Sequence, residues 1–152
     1  FYYAAETPQG KLVLLGDVSG KGLQAAMTVS GILVALRTLD VWDPCHVLSK
    51  LNQALVGSAG FVTCCCVLVR DADVLVANAG HPAPYFDCVE CAGESGLPLG
   101  VSADAAWEVS RHRRPALLNL ISDGVVEARN SGGELFGFER ALAVSGKPAK
   151  EI

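Results

Sequence analysis

A chain of 152 residues, 51% of them hydrophobic and 18% charged, has enough apolar surface for one packed domain and too little charge to stay disordered. The net charge of -4, with no basic tract, argues against a nucleic-acid surface. The longest apolar helical pattern, Leu23 to Leu39, is broken by Gln24, Thr28, Ser30, Gly31 and Arg37, so it reads as amphipathic and no membrane contact is expected of it.

In chain order, Phe1 to Glu6 reads as a strand, Thr7-Pro8-Gln9-Gly10 as a hairpin turn and Lys11 to Asp17 as the returning strand. Lys21 to Thr38 is predicted to be a helix whose apolar stripe is Leu23, Ala26, Met27, Ile32, Leu33 and Leu36. Asp43 as N-cap and Pro44 at the first helical position open a second helix, carrying Val47, Leu48, Leu51 and Leu55 and stopping near Gly57. The short connection predicts that the two helices pack side by side on a sheet. Phe61 to Arg70 and Val74 to Asn78 read as strands joined by a turn at Asp71-Ala72-Asp73. After a break at Ala79 to Pro82 come a short strand, Tyr85-Phe86-Asp87, and a loop or hairpin tip from Cys88 to Gly96. Leu97 to Val101 leads into Ala106 to Arg111. Ala116 to Ile121 reads as a strongly buried strand, Val125 to Ala128 as a short helix, Gly132-Gly133 as a turn and Gly137 to Val144 as the last helix. Strands, two helices, many strands and a helix do not make the alternating pattern of a parallel α/β fold; they predict antiparallel sheets covered by helices.

The six cysteines do not form a disulfide framework on spacing. Cys64, Cys65 and Cys66 are adjacent in a strand, where neighbours point to opposite faces. Cys88-x-x-Cys91 is at most half of a zinc site, with no second close pair to complete it. Reduced thiols in a cytoplasmic protein are the expectation.

The stretch Leu14-Leu15-Gly16-Asp17-Val18-Ser19-Gly20-Lys21-Gly22 organises the chain: an apolar strand ends in an acid and a glycine turn, and a helix follows. It is not a phosphate-binding P-loop, because only three residues separate Gly16 from Gly20 and Gly22 follows Lys21 where a hydroxyl is needed. Leu120-Ile121-Ser122-Asp123-Gly124 repeats the theme of an apolar run ending in Asp beside Gly. Two such carboxylates brought together would bind hard divalent cations, and two ions about 3.5–4 Å apart can clamp a phosphoryl group. Residue types alone leave open the alternative of two independent turn aspartates.

Gly16-Asp17-Val18-Ser19-Gly20-Lys21-Gly22 closely resembles the signature of the SpoIIE-type (RsbU-like) serine phosphatases, of the metal-dependent PPM protein phosphatase superfamily. Phe1-Tyr2 is similar to the tail of that family's Gly-Gly-Asp-Phe-Tyr-Asp motif. Asn78-Ala79-Gly80-His81-Pro82, Leu97-Pro98-Leu99-Gly100, Ser122-Asp123-Gly124-Val125-x-Glu127-Ala128 and Gly133-Glu134-Leu135-Phe136-Gly137 follow in the family's order. The resemblance spans essentially the whole chain. It implies an α+β fold, a four-layer αββα sandwich of two antiparallel β-sheets flanked by helices. It implies hydrolysis of phosphoserine or phosphothreonine in a protein by water, with two Mn²⁺ or Mg²⁺ ions and no covalent enzyme intermediate. The implied metal ligands are Asp17, bridging both ions, the carbonyl of Val18, and Asp123. The implied substrate is a phosphorylated anti-sigma-factor antagonist in bacterial stress signalling. An upstream sensor domain and a homodimer are the other implied partners. The alternative reading is a degenerate phosphatase fold serving as a binding or regulatory module.

The sequence also departs from the family pattern. Tyr3 stands where the family motif usually has its second Asp, the Asp before Phe1 is missing, and the chain stops at Ile152 before the family's Asp-Asp-x-Thr-like strand. Residues 1–152 therefore read as a phosphatase domain truncated at both ends. His81 reads as a turn-holding residue, Lys21 as a solvated lysine, Arg111 to Arg114 as an exposed edge, and Trp42 and Trp107 as packing.

Overall fold

The computed structural model describes residues 1–58 and 60–151. The chain divides into two compact units. The first comprises residues 1–81 and 93–114, the second residues 82–92 and 115–152.

In the first unit the expected hairpin forms from β1 (Tyr2–Thr7) and β2 (Gly10–Val18). Gly10, at φ 135°, makes the turn that a side chain would obstruct, because a Cβ there would lie 2.3 Å from the carbonyl oxygen of Val69. Two helices follow, α1 (Leu23–Arg37) and α2 (Pro44–Leu55), then strands β3 (Val62–Val69) and β4 (Asp73–Ala79). The sheet order is β1-β2-β3-β4, all antiparallel. Two short strands share the outer edge of β4: Ser95–Gly96 runs parallel to Asn78–Ala79, and Ser110–Arg113 runs antiparallel to Asp73–Val76. The parallel pair departs from the all-antiparallel expectation. It arises because the chain re-enters along β4 after a loop instead of through a hairpin.

Alternation along the strands sorts the sheet's two faces. Leu12 and Leu14 of β2, Cys64, Cys66 and Leu68 of β3, and Ala77 and Ala79 of β4 pack with Val47, Leu48 and Leu51 of α2 in one core. Cys65, Val67, Val74 and Val76 are buried too, so the central strands are apolar on both faces. The second helix starts as the sequence reads it: Pro44 is its first residue, and the Asp43 carboxylate accepts the backbone N–H of His46 at 3.1 Å.

The first helix differs from expectation in two ways. It begins at Leu23, not Lys21, because Gly20 and Gly22 take φ of 94° and 80° and cannot propagate a right-handed turn. Its predicted stripe is only half buried. Ile32 and Leu36 enter the core, whereas Leu23 is 78% and Met27 66% exposed. A groove of about 450 Å³ lined by Met27, Gly31, Ile32, Leu51 and Leu55 lies between the two helices.

The second unit holds a small sheet, Val89–Glu90 beside Tyr85–Phe86 beside Leu118–Asn119. Here β5 is Tyr85–Phe86. Two short helices follow: α3 (Asp123–Val126) and α4 (Gly137–Val144). The expected buried strand at Ala116–Ile121 is a two-residue strand whose only buried member is Asn119. Its neighbour β5 is itself only two residues long, so no longer ladder can form. Asn119 donates from Nδ2 to the carbonyl oxygens of Ser145 (2.5 Å) and Lys147 (3.0 Å), which gives the open C-terminal end of α4 its partners. Tyr85, Val126 and Ala141 form this unit's core, with Ile121 and Phe136 at its border.

None of the six cysteines, all among the described residues, is in a disulfide. Burial pushes the Cys64 thiol up to about 12 and the Cys91 thiol up to about 11. These are packing residues held in the thiol form.

Candidate active site

Asp17 sits within β2, one residue before its end, and its side chain is exposed. Gly16 and Val18 face the helices, so alternation turns Asp17 to the opposite face. Its strand partner on β3 is Thr63. The position of β2 is fixed on both sides. A Cβ on Gly16 would lie 2.7 Å from the Phe1 ring and 2.7 Å from the carbonyl oxygen of Thr63, so only glycine lets the three chains close at this point. Beyond Val18, the Ser19 N–H donates to the Phe61 carbonyl at 2.9 Å, and the Ser19 hydroxyl accepts the Phe61 N–H at 2.8 Å. Pairing therefore continues into the glycine turn, and the backbone around Asp17 and Val18 is held rigidly.

The Asn78-Ala79-Gly80-His81 stretch folds against β3, the strand that carries Thr63. Asn78 is buried; its Nδ2 donates to the carbonyl of His81 and its Oδ1 accepts the His81 N–H, both at 2.8 Å. Gly80 takes φ of 72°, and a Cβ there would meet Pro98 at 2.8 Å. The buried His81 ring brings Nδ1 to 2.9 Å from the Thr63 hydroxyl. His81 thus holds a turn, as read from the sequence, and it also reaches the residue opposite Asp17. Thr63 escaped the sequence reading. Its only signal is a hydroxyl inside the otherwise apolar run Val62 to Val69.

Asp123 lies in the second unit. It is not at a strand end, as its rhyme with Asp17 suggests, but is the first residue of α3, and it is exposed. Ser122 takes an extended N-cap conformation, and the Glu127 N–H donates to the Asp123 carbonyl at 2.8 Å, which draws Asp123 into the helix. A carboxylate in a first helical turn is favourably placed against the helix dipole.

Asp17 offers carboxylate oxygens, while the hydroxyl of its strand partner Thr63 meets His81 and the Ser19 hydroxyl accepts the Phe61 N–H. A carboxylate is the ligand type that suits a hard divalent cation. Among the described residues, no group of three or more His, Cys, Asp or Glu is gathered where it could hold a metal ion.

Arg111, Arg113 and Arg114 are exposed on or just beyond the edge strand Ser110–Arg113, as the sequence reads them. Arg70 and Arg111 both hydrogen-bond the Asp73 carboxylate, with Arg70 Nε at 2.6 Å. The hydrogen bond from Arg70, followed by that from Arg111, holds the Asp73 carboxyl below its usual range. Trp107 packs over Gly96 and donates from Nε1 to the Leu97 carbonyl at 2.9 Å.

Comparison with known proteins bears on the whole chain. The family model described as Stage II sporulation protein E (SpoIIE) matches residues 7–152. Phosphoserine phosphatase RsbU of Bacillus subtilis is 28% identical over 149 residues, covering 89% of this chain, which in turn spans 44% of that protein's length. In fold, the chain is similar to the SiaA-PP2C domain of Pseudomonas aeruginosa, with a TM-score of 0.77 at 22% identity over 99% of this chain and 68% of that one. It is also similar to the RsbU and RsbW domains of a Mycobacterium tuberculosis protein, with a TM-score of 0.65 at 20% identity over 86% of this chain and 40% of that one. No helix among the described residues is long and apolar enough to cross a membrane.

Proposed function

The chain belongs to the SpoIIE family of PP2C-type serine/threonine phosphatase domains, and from that premise we propose that it hydrolyses a phosphoserine or phosphothreonine protein in a metal-dependent reaction. The observation that carries the reading is Asp17: an exposed carboxylate on a rigid strand, within the Gly-Asp-Val-Ser-Gly motif and opposite the Thr63–His81 pair. The residues that would hold Mn²⁺ or Mg²⁺ are Asp17, the backbone carbonyl of Val18, and Asp123. Bound by them, the cations would supply Lewis acidity toward water and charge compensation for the phosphoryl oxygens. The chain's own part is positional. Gly16, Ser19 and Phe61 fix the strand so that the Asp17 carboxylate is held without reorganisation.

The substrate class that fits this reading is a phosphorylated anti-sigma-factor antagonist in a cytoplasmic signalling pathway. The likeness to a phosphoserine phosphatase and to a fold paired with an RsbW domain supports it. Control by an upstream sensor domain, or by homodimer formation, would act on the exposed face of α1.

The test is phosphate release from a phosphoserine protein with Mn²⁺, with chelator, and with Asp17→Asn. Activity should require Mn²⁺ and be lost in Asp17→Asn, because an amide cannot neutralise two cations. Undiminished turnover in chelator, or in the variant, overturns the assignment. A fold without any turnover, in the presence of intact Mn²⁺ binding, would instead favour a regulatory module.

A further inference from the structure

Asn52 is a buried polar residue on the core face of α2, between Leu51 and Leu55. Its two amide functions are both used, and each by a backbone group of another segment. Oδ1 accepts the N–H of Gly100 at 2.7 Å, and Nδ2 donates to the carbonyl of Ser102 at 2.9 Å. An amide in this orientation satisfies one backbone donor and one backbone acceptor together.

The segment it grips is tied in turn to β3. Leu99 and Val62 exchange backbone hydrogen bonds, N–H of Leu99 to O of Val62 at 2.8 Å and the reverse at 3.0 Å. Gly100 takes φ of 85° and faces the carbonyl oxygens of Leu55 and Gly60, at 3.4 and 3.5 Å from an added Cβ. The residue after Val62 is Thr63, the strand partner of Asp17. An unbroken series of direct contacts thus runs from the middle of α2 through residues 99–102 to the start of β3 and across to Asp17.

From this series we infer that Asn52 is a positioning residue, which couples α2 to the register at which β3 presents Thr63 to Asp17 and so sets the affinity of the Asp17 site for its cation. The inference rests on the metal-site reading of Asp17. The core packing of α2 holds the helix on the sheet, and the amide of Asn52 determines where the 99–102 segment, and with it the end of β3, sits relative to that helix. A buried amide with both functions paired is costly to replace, since an apolar side chain leaves the Gly100 N–H and the Ser102 carbonyl unpaired.

The experiment compares Asn52→Leu, Asn52→Asp and a packing control on the same helix, Leu51→Val. Mn²⁺ binding is followed by titration calorimetry and by the Mn²⁺ electron paramagnetic resonance signal. Amide hydrogen exchange is followed at Val62, Thr63, Leu99 and Gly100. Asn52→Leu should weaken Mn²⁺ binding by about tenfold and speed exchange at these four amides. Asn52→Asp keeps the acceptor for Gly100 but sets a carboxylate against the Ser102 carbonyl, so it should fall between Asn52→Leu and wild type. Leu51→Val should lower Tm while leaving Mn²⁺ affinity unchanged. Equal loss of Mn²⁺ affinity in Leu51→Val and Asn52→Leu would reduce Asn52 to a packing role and overturn the inference. So would unchanged exchange at Val62 and Thr63 in Asn52→Leu. If wild type and Asp17→Asn bind Mn²⁺ alike, the metal-site reading itself falls, and the exchange data alone then decide whether Asn52 couples α2 to β3.

Discussion

Thr63 lies opposite Asp17 in the β2–β3 ladder and at the same time meets Nδ1 of His81 through its hydroxyl at 2.9 Å. Two motifs far apart in sequence, Gly16–Gly22 and Asn78–Pro82, are therefore joined by a residue that belongs to neither. The buried ring of His81 fixes the Thr63 side chain, and Asn78 fixes the His81 backbone on both its N–H and its carbonyl.

Thr63→Val removes the hydroxyl without changing the side chain's volume and leaves the His81 nitrogen without it. The expected loss is about 1–3 kcal/mol of stability, the cost of stranding a buried polar group. Thr63→Ser should restore most of it. Denaturant unfolding of the two variants is the measurement, and equal stability of Thr63→Val and wild type would show that the hydrogen bond contributes nothing.

Gly80→Ala meets two penalties at one site. Its φ of 72° is left-handed, which costs an L side chain about 1–2 kcal/mol, and the added methyl meets Pro98 at 2.8 Å. A lower Tm is expected for Gly80→Ala. By contrast, Gly31→Ala, with nothing within 4 Å and a helical backbone, should be neutral or stabilising.

Asp73 gives the stability a pH dependence of known sign. Its carboxyl is held below the ordinary value of 3.8 by the hydrogen bonds from Arg70 and Arg111. A carboxyl whose value is depressed on folding stabilises the fold fully above the unfolded value and loses that contribution as pH falls through the folded value. The Tm of the wild type should therefore drop more steeply than that of Asp73→Asn below pH 3.8. Parallel Tm–pH curves over that range would remove Asp73 from the acid response.

The exposed face of α1 is where control is expected. Gln24 borders the groove between α1 and α2, and Arg37 is exposed in the last turn. Substitutions at Gln24 and Arg37 should alter the Mn²⁺ dependence of phosphate release while moving Tm by no more than about a degree or two, because neither side chain is in the core. Wild-type metal dependence throughout would leave the helix pair as scaffold.

The sequence by itself determined the elements whose cause is local. Thr7 to Gly10 makes a turn, Asp43 and Pro44 start a helix, and Val62 to Val69 is apolar at every other position and more, so each forms where the pattern says. It also determined the family, because ordered motifs such as Gly16–Gly22 and Asn78–Pro82 are one-dimensional objects. Burial and partnership are not. Leu23 and Met27 fit a helical stripe, yet whether a stripe is covered depends on how far α2 and the sheet extend beneath it. Leu118 and its neighbours look like a buried strand, yet a strand needs a ladder partner of equal length, and β5 is too short. The supports of Asp17 were decided only in three dimensions. Thr63 and Asn52 carry no motif of their own; what gives each a role is the backbone or side-chain groups that the fold brings within hydrogen-bonding distance, the His81 ring for Thr63 and the Gly100 N–H and Ser102 carbonyl for Asn52.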